Sequence, residues 1–178
     1  MRLPKTDALS VQTSSFVPGE LGVFAIRVYQ KGELLFKVEG PVHTKPTKYS
    51  FAAALDKHIE PERADGVSDF GHYMNHSCDP NVIVRPVIDG AGGAHIDVIA
   101  RRPIKEGEEL AFDYASLEYD VTVANATCRC GSPLCRGTIH GFKDLSVEIV
   151  LRYEREGLIP SYLLELVQQV RPLRAANG

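Results

Sequence analysis

Three of the four cysteines, Cys128, Cys130 and Cys135, fall in one C-x-C-x4-C run, while the fourth, Cys78, stands alone far upstream. No other feature limits the fold as much. Either the chain returns Cys78 to the trio, or the trio is a turn of free thiols. The start, Met1-Arg2-Leu3-Pro4-Lys5-Thr6-Asp7, lacks the apolar segment of a secretion signal. No apolar run approaches the ~18 residues of a membrane span. The expected setting is therefore soluble, intracellular and reducing, where structural disulfides are disfavoured. Four thiols there suit one tetrahedral zinc site, closed by four thiolates. Gly131, Ser132 and Pro133 supply the tight turn of a metal knuckle. Two alternatives remain: three cysteines with His76 or His140, and an unmetallated turn of buried thiols. The N-x-S/T sequons at Asn75 and Asn125 read as accidental in such a setting.

At 178 residues, 44% hydrophobic and 24% charged, the chain fits one globular domain with its own core. Its net charge of −3 argues against a protein held to nucleic acid by bulk charge. No membrane association is expected, and oligomeric state is not legible. No P-loop, G-x-S-x-G or H-E-x-x-H occurs, which removes the commonest nucleotide, esterase and zinc-protease readings.

Residues 1–15 are polar and read as a strap or frayed end. Val23-Phe24-Ala25-Ile26 and Leu34-Leu35-Phe36 flank Lys31-Gly32 as strand, turn and strand. Tyr49 to Leu55 reads as a strand or a short helix, and Ala52-Ala53-Ala54 favours helix. Residues 82–88 and 94–100 form a hairpin around a Gly-rich loop, with Pro86 at an edge or bulge. A turn near Gly107 feeds a short strand through Phe112. Two helices close the chain: about Asp144 to Glu156, capped by Asp144 or Ser146 and ended by Gly157, and one from Pro160 to before Pro172. Many short strands with sparse helix make a mainly β fold.

The densest polar cluster is His72-Tyr73-Met74-Asn75-His76-Ser77-Cys78-Asp79-Pro80-Asn81. A nucleophilic Cys78–His pair is one reading of it; against this, Cys78 is the one cysteine left to complete the zinc tetrad. Asn75 to Asn81 also resembles the NHSCxPN signature of SET-domain protein lysine methyltransferases. Glu109-Leu110-Ala111-Phe112-Asp113-Tyr114 resembles the family's ELxFDY signature. Residues 128–137 are similar to its post-SET zinc module, and Gly22-Val23-Phe24-Ala25 to the end of its N-terminal cofactor loop. The four occur in the family's order, over roughly residues 15–142.

The resemblance implies a fold of small β-sheets with knot-like threading, a zinc knuckle and C-terminal helices. It divides the chain into a strap (1–15), a SET domain (16–120, with a short insert at about 50–71), a post-SET module (121–142) and a helical extension (143–178). It implies S-adenosylmethionine as cofactor, S-adenosylhomocysteine as its product, and one structural zinc on Cys78, Cys128, Cys130 and Cys135. That uses every cysteine and leaves none for a pre-SET cluster. Tyr114 matches the catalytic tyrosine, and Tyr49 a second tyrosine of the lysine channel, its alternative being a half-buried sheet aromatic. Gly22, Val23, Phe24, Asn75, His76 and Tyr114 match cofactor contacts. Phe112 stands where a tyrosine would hold a water near the lysine nitrogen, so di- or trimethylation is expected.

Two positions depart from the family: Glu20 replaces the first glycine of the cofactor loop, and His72 stands where Arg is common. Glu106, Glu108, Glu109, Glu118 and Asp120 read either as a solvated face or as a rim attracting a basic peptide such as a histone tail. The expected partner is a lysine-containing protein, in nucleus or cytoplasm. A SET-like binding module without activity and a zinc-stabilised scaffold without cofactor are the competing readings.

Overall fold

The structure, a computed structural model, describes residues 3–62, 68–90, 92–121 and 126–166. Ten short strands build three small sheets. Strands β1 (Leu9–Thr13), β2 (Leu21–Ala25), β10 (Glu109–Phe112) and β7 (Asn75–His76) form the first, in the order β1-β2-β10-β7. Its β1–β2 and β2–β10 pairs are antiparallel, and its β10–β7 pair is parallel. Strands β3 (Leu34–Val38), β9 (Ala94–Ala100) and β8 (Val82–Ile88) form the second sheet. Strands β4 (Val42–His43), β6 (Lys57–Ile59) and β5 (Phe51–Ala54) form the third. Their buried side chains, among them Leu9, Val23, Ile59, Val82, Ile96 and Leu110, meet in one core.

The β8–β9 hairpin forms as its alternation predicts, and Pro86 lies on β8, an edge strand of its sheet. Gly107, at φ +80°, makes the turn before β10. Helix α1 (Val147–Arg155) begins at Ser146, whose hydroxyl accepts from Ile149 N, and ends at Gly157, at φ +67°. A second helix, α2, starts after Pro160 and covers 161–166; its expected end before Pro172 lies outside the described residues. The helices pack Val150, Tyr153, Leu158, Ile159 and Leu163 into a second cluster, and Tyr162 touches both cores.

Two expectations are corrected. The supposed strap contains β1, whose Leu9, Ser10 and Val11 are buried against β2. The weak alternation of Leu9, Val11 and Thr13 carried that strand. Ala52-Ala53-Ala54 is not helix but part of β5, paired with β6 across a register shift. Burial of Phe51, Ala52 and Ala53 outweighs alanine's helix preference, because tertiary packing routinely overrides propensities of a few tenths of a kcal/mol.

Candidate active site

The sulfur atoms of Cys78, Cys128, Cys130 and Cys135 lie within 4.8 Å of one another. Cys78 Sγ and Cys128 Sγ are 3.7 Å apart. A tetrahedral ion with Zn–S bonds of ~2.3 Å has an S···S edge of about 3.8 Å, so the cage fits zinc. Arg136 N and Gly137 N donate to Cys78 Sγ and Cys135 Sγ, both at 3.4 Å, as suits thiolates. Burial, opposed by Arg136 and Cys128, pushes the Cys78 thiol up to about 11; a bound cation reverses that preference. His140 bonds Thr138 instead of joining the cage.

Strand β7 carries Asn75 and His76 beside Ala111 and Phe112 of β10. Asn75 Nδ2 donates to Leu21 O at 2.9 Å, Glu109 Oε1 at 2.8 Å and Ser14 Oγ at 3.2 Å. The buried Glu109 carboxylate also accepts from Ser14 Oγ, Ser15 N and Ser15 Oγ, at 2.8, 2.6 and 2.6 Å. Glu109 and Asn75 thus anchor the 14–20 loop of the β1–β2 hairpin. Gly22 sits against this knot: a Cβ there would lie 2.1 Å from Glu109 Oε1. The carboxylate therefore supplies a structural need for glycine at that position. Asn75 is half-buried, and the amide nitrogen its sequon would use is committed to this network.

Val23 and Phe24, which the family resemblance matches to cofactor contacts, lie within β2. Both side chains are buried, and β2 is a central strand whose two edges are paired with β1 and β10.

The buried His76 ring receives Tyr114 N–H on Nδ1 at 3.3 Å, which places its proton on Nε2, 3.3 Å from Cys78 Sγ. Burial, opposed by Asp113, lowers its pKa to about 4, so the ring is neutral at pH 7. Asp113 is fully buried. It accepts two bonds from Arg136, at 2.6 and 2.8 Å, and one from Tyr153 OH, at 2.6 Å. Burial works against the Arg136 charge, but the carboxylate outweighs it and raises the guanidinium pKa.

On the other side of β10 lies a cavity of about 50 Å³, lined by Tyr49, Phe51, His72, Phe112, Tyr114 and Glu118 among others. The Tyr114 hydroxyl donates to Met74 O at 3.2 Å, and burial raises its pKa. Phe112 stacks on Phe51 and meets Tyr114 at a tilt, with centroid distances of 5.2 and 4.9 Å. Tyr49 stacks on His72 at 3.9 Å, so the residue that departs from the family's Arg forms part of the same wall. A separate cleft of about 350 Å³ lies between Ser15, Phe16, Ser77 and the knuckle residues Cys130 to Pro133.

Residues 20–115, more than half of the chain, match the SET domain. The chain belongs to the SET-domain family. Over 153 residues it is 29% identical to histone-lysine N-methyltransferase TRX1 of Oryza sativa subsp. japonica, covering 77% of this chain and 14% of that protein. Over 83 residues it is 40% identical to histone-lysine N-methyltransferase Su(var)3-9 of Drosophila pseudoobscura pseudoobscura, covering 41% and 13%. The crystal structure of KRYPTONITE in complex with mCHG DNA and SAH shares its fold. The TM-score is 0.60 at 24% identity, over 74% of this chain and 29% of that one. The chain spans about a seventh of the length of these curated relatives.

In this SET domain the five acidic residues do not form one rim. Glu109 ties the loop, Glu108 pairs with Arg102 and Asn81, and Asp120 pairs with Lys143. Glu106 is exposed, and Glu118 lines the aromatic cavity. Sequence reasoning missed Ser14, Ser15, Arg136 and Tyr153 as supports of the site. Arg136 and Asp113 had a signal, since both lie inside the quoted motifs; Tyr153 had none beyond its place on an amphipathic helix. No helix among the described residues is long and apolar enough to cross a membrane.

Proposed function

We propose that this SET domain is an S-adenosylmethionine-dependent protein-lysine N-methyltransferase acting on a histone tail or another lysine-bearing protein. The observation that carries the reading is the narrow aromatic cavity bounded by the Tyr114 phenol, with Asn75 and His76 on the strand beside it. The histone-lysine methyltransferase relatives support the substrate class and favour a nuclear setting. The net charge of −3 favours a basic peptide over direct nucleic-acid contact.

The cofactor supplies an electrophilic methyl group to an amine. A free lysine, with a pKa near ~10.4, is mostly protonated, so the site must present it neutral. A channel walled by Tyr49, Phe51 and Phe112 disfavours the charged form. Tyr114 orients the amine through its hydroxyl, and alignment at near-attack distance accelerates the displacement. The 14–20 loop, Asn75, His76 and the knuckle would hold the cofactor, and the mixed lining of the cleft between Ser15, Phe16, Ser77 and the knuckle suits a sulfonium compound with an adenosine. Zinc on the four cysteines is structural, because all four positions are protein thiolates.

The reading keeps the module division of the sequence, with β1 joined to the SET domain and α1 tied to the site through Tyr153, which bonds Asp113 and Cys78 O. The competing reading, a SET-like binding module, draws on Glu20 in place of the loop glycine. The test is transfer of labelled methyl groups from S-adenosylmethionine to core histones and to lysate proteins, with sites mapped by mass spectrometry. Calorimetric binding of S-adenosylmethionine without transfer would favour the binding module.

A further inference from the structure

Glu118 is the one member of the acidic series that lines the aromatic cavity with Tyr49, Phe112 and Tyr114. Its backbone is fixed from two sides: its N–H donates to Tyr114 O at 3.0 Å, and its carbonyl accepts from Phe142 N at 2.9 Å. Burial raises the Tyr114 and Tyr162 phenols, and the Glu118 charge adds to that rise in both. Among the described residues no side chain pairs with that carboxylate. A carboxyl half-buried in an aromatic cavity, without a cation of its own, either keeps its proton or draws in a cation, because burial penalises its charge.

We propose that Glu118 receives the ammonium of the substrate lysine in this cavity and takes its proton before methyl transfer. This role rests on the methyltransferase reading above. One ammonium N–H bond breaks and one O–H bond forms on Glu118, leaving the electron pair on nitrogen to attack the methyl group of S-adenosylmethionine. The neutral acid then returns its proton to water at the channel mouth, where Tyr49 is 38% exposed.

The transfer needs the two acidities to approach each other. Burial raises Glu118 to about 7, and the aromatic channel lowers the lysine from its ordinary ~10.4. Among the other groups lining the cavity, His72 is a weaker proton acceptor than Glu118, and the Tyr114 phenol keeps its proton through neutral pH. Burial lowers His72 below its ordinary 6.5, and raises Tyr114 and Tyr162 above their ordinary 10.0. Lys48, bonded to Tyr49 OH, stays cationic.

The experiment compares wild type with Glu118→Gln, using core histones and S-adenosylmethionine from pH 6 to 10. In the wild type kcat/KM should rise through about pH 7 and then stay level, because the carboxylate and the substrate ammonium are the reacting pair. In Glu118→Gln it should fall about 100-fold at pH 7.5, within the usual range for a general base, and climb tenfold per pH unit towards 10. Cofactor affinity should match wild type by calorimetry. A wild-type profile that climbs to pH 10 without a break near 7, or a variant profile that overlays it, overturns the role of Glu118 alone. No transfer by the wild type to histones or lysate proteins overturns the methyltransferase reading, and this role with it. The wild-type profile decides even where the variant fails to fold.

Discussion

Arg136 grips Asp113 with both ends of its guanidinium, Nη1 to Oδ2 at 2.6 Å and Nη2 to Oδ1 at 2.8 Å, around a carboxylate that solvent does not reach. Asp113 immediately precedes Tyr114, and Arg136 immediately follows Cys135. One ion pair therefore joins the residue proposed to orient the amine to the cysteine knuckle. Tyr153 of α1 adds a third donor to the same carboxylate and bonds Cys78 O at 3.3 Å. The strand end, the knuckle and the C-terminal helix share one buried polar centre.

Removing the cation from that centre should be costly. Arg136→Ala leaves Asp113 buried and unpaired, a change worth about 3–5 kcal/mol. Arg136→Lys should recover part of this, since it restores charge without the fork. Urea unfolding measures both, and an unchanged midpoint for Arg136→Ala would show that the pair carries no stability.

Metal analysis should find about one zinc per chain. Cys130→Ser and Cys78→Ser should each lose it, and chelation should lower the melting temperature because metal binding is coupled to folding. A full complement of zinc in Cys78→Ser would remove that residue from the ligand set.

Tyr114→Phe deletes the hydroxyl that donates to Met74 O and keeps the ring that packs on Phe112. Turnover should drop by orders of magnitude with cofactor affinity nearly unchanged, as expected for an interaction strongest in the transition state. Single-turnover kinetics and calorimetry together check it, and wild-type turnover would dismiss Tyr114 from the reaction.

Phe112 brings no hydroxyl to the cavity it lines. Repeated methylation needs room at the nitrogen, and a water held by a hydroxyl would occupy that room. Wild type should therefore reach di- or trimethyl-lysine, and Phe112→Tyr should shift the product towards monomethyl. Mass spectrometry of a saturated reaction reads the product state directly; a wild type that stops at one methyl group contradicts this account.

Glu118 also predicts a pH dependence of stability. Its folded pKa of about 7 lies above its ordinary 4.5, because burial disfavours the charge. Between those values the unfolded chain releases a proton that the folded chain retains, so the group's contribution falls as pH rises from 4.5 and is fully unfavourable above about 7. Glu118→Gln should melt several degrees above wild type at pH 8 and level with it near pH 4, by scanning calorimetry.

The cysteine trio and the family were legible because each rests on residue types at short, fixed spacings, whereas the arrival of Cys78 beside Cys128, 50 positions away, needed the fold. The C-x-C-x4-C run, the NHSC segment and the ELAFDY segment keep their chemistry whatever the rest of the chain does. The Pro86 edge strand, the Ser146 cap and the Gly157 stop were legible for the same reason, since each answers to the backbone of its own neighbours. The strand character of Ala52-Ala53-Ala54 was not, because a pairing with β6 and burial of Phe51 against Phe112 decided it.

The site's buried charges lie beyond local reading altogether. Glu109 meets Ser15 across 94 positions, and Asp113 meets Tyr153 across 40. By itself the sequence determined which groups could bind a metal and which motif they serve. Only the tertiary structure decided which acids became anchors, which became surface, and which one faced the cavity. A carboxylate's role depends on the donors and the water around it, and those come from residues far away along the chain.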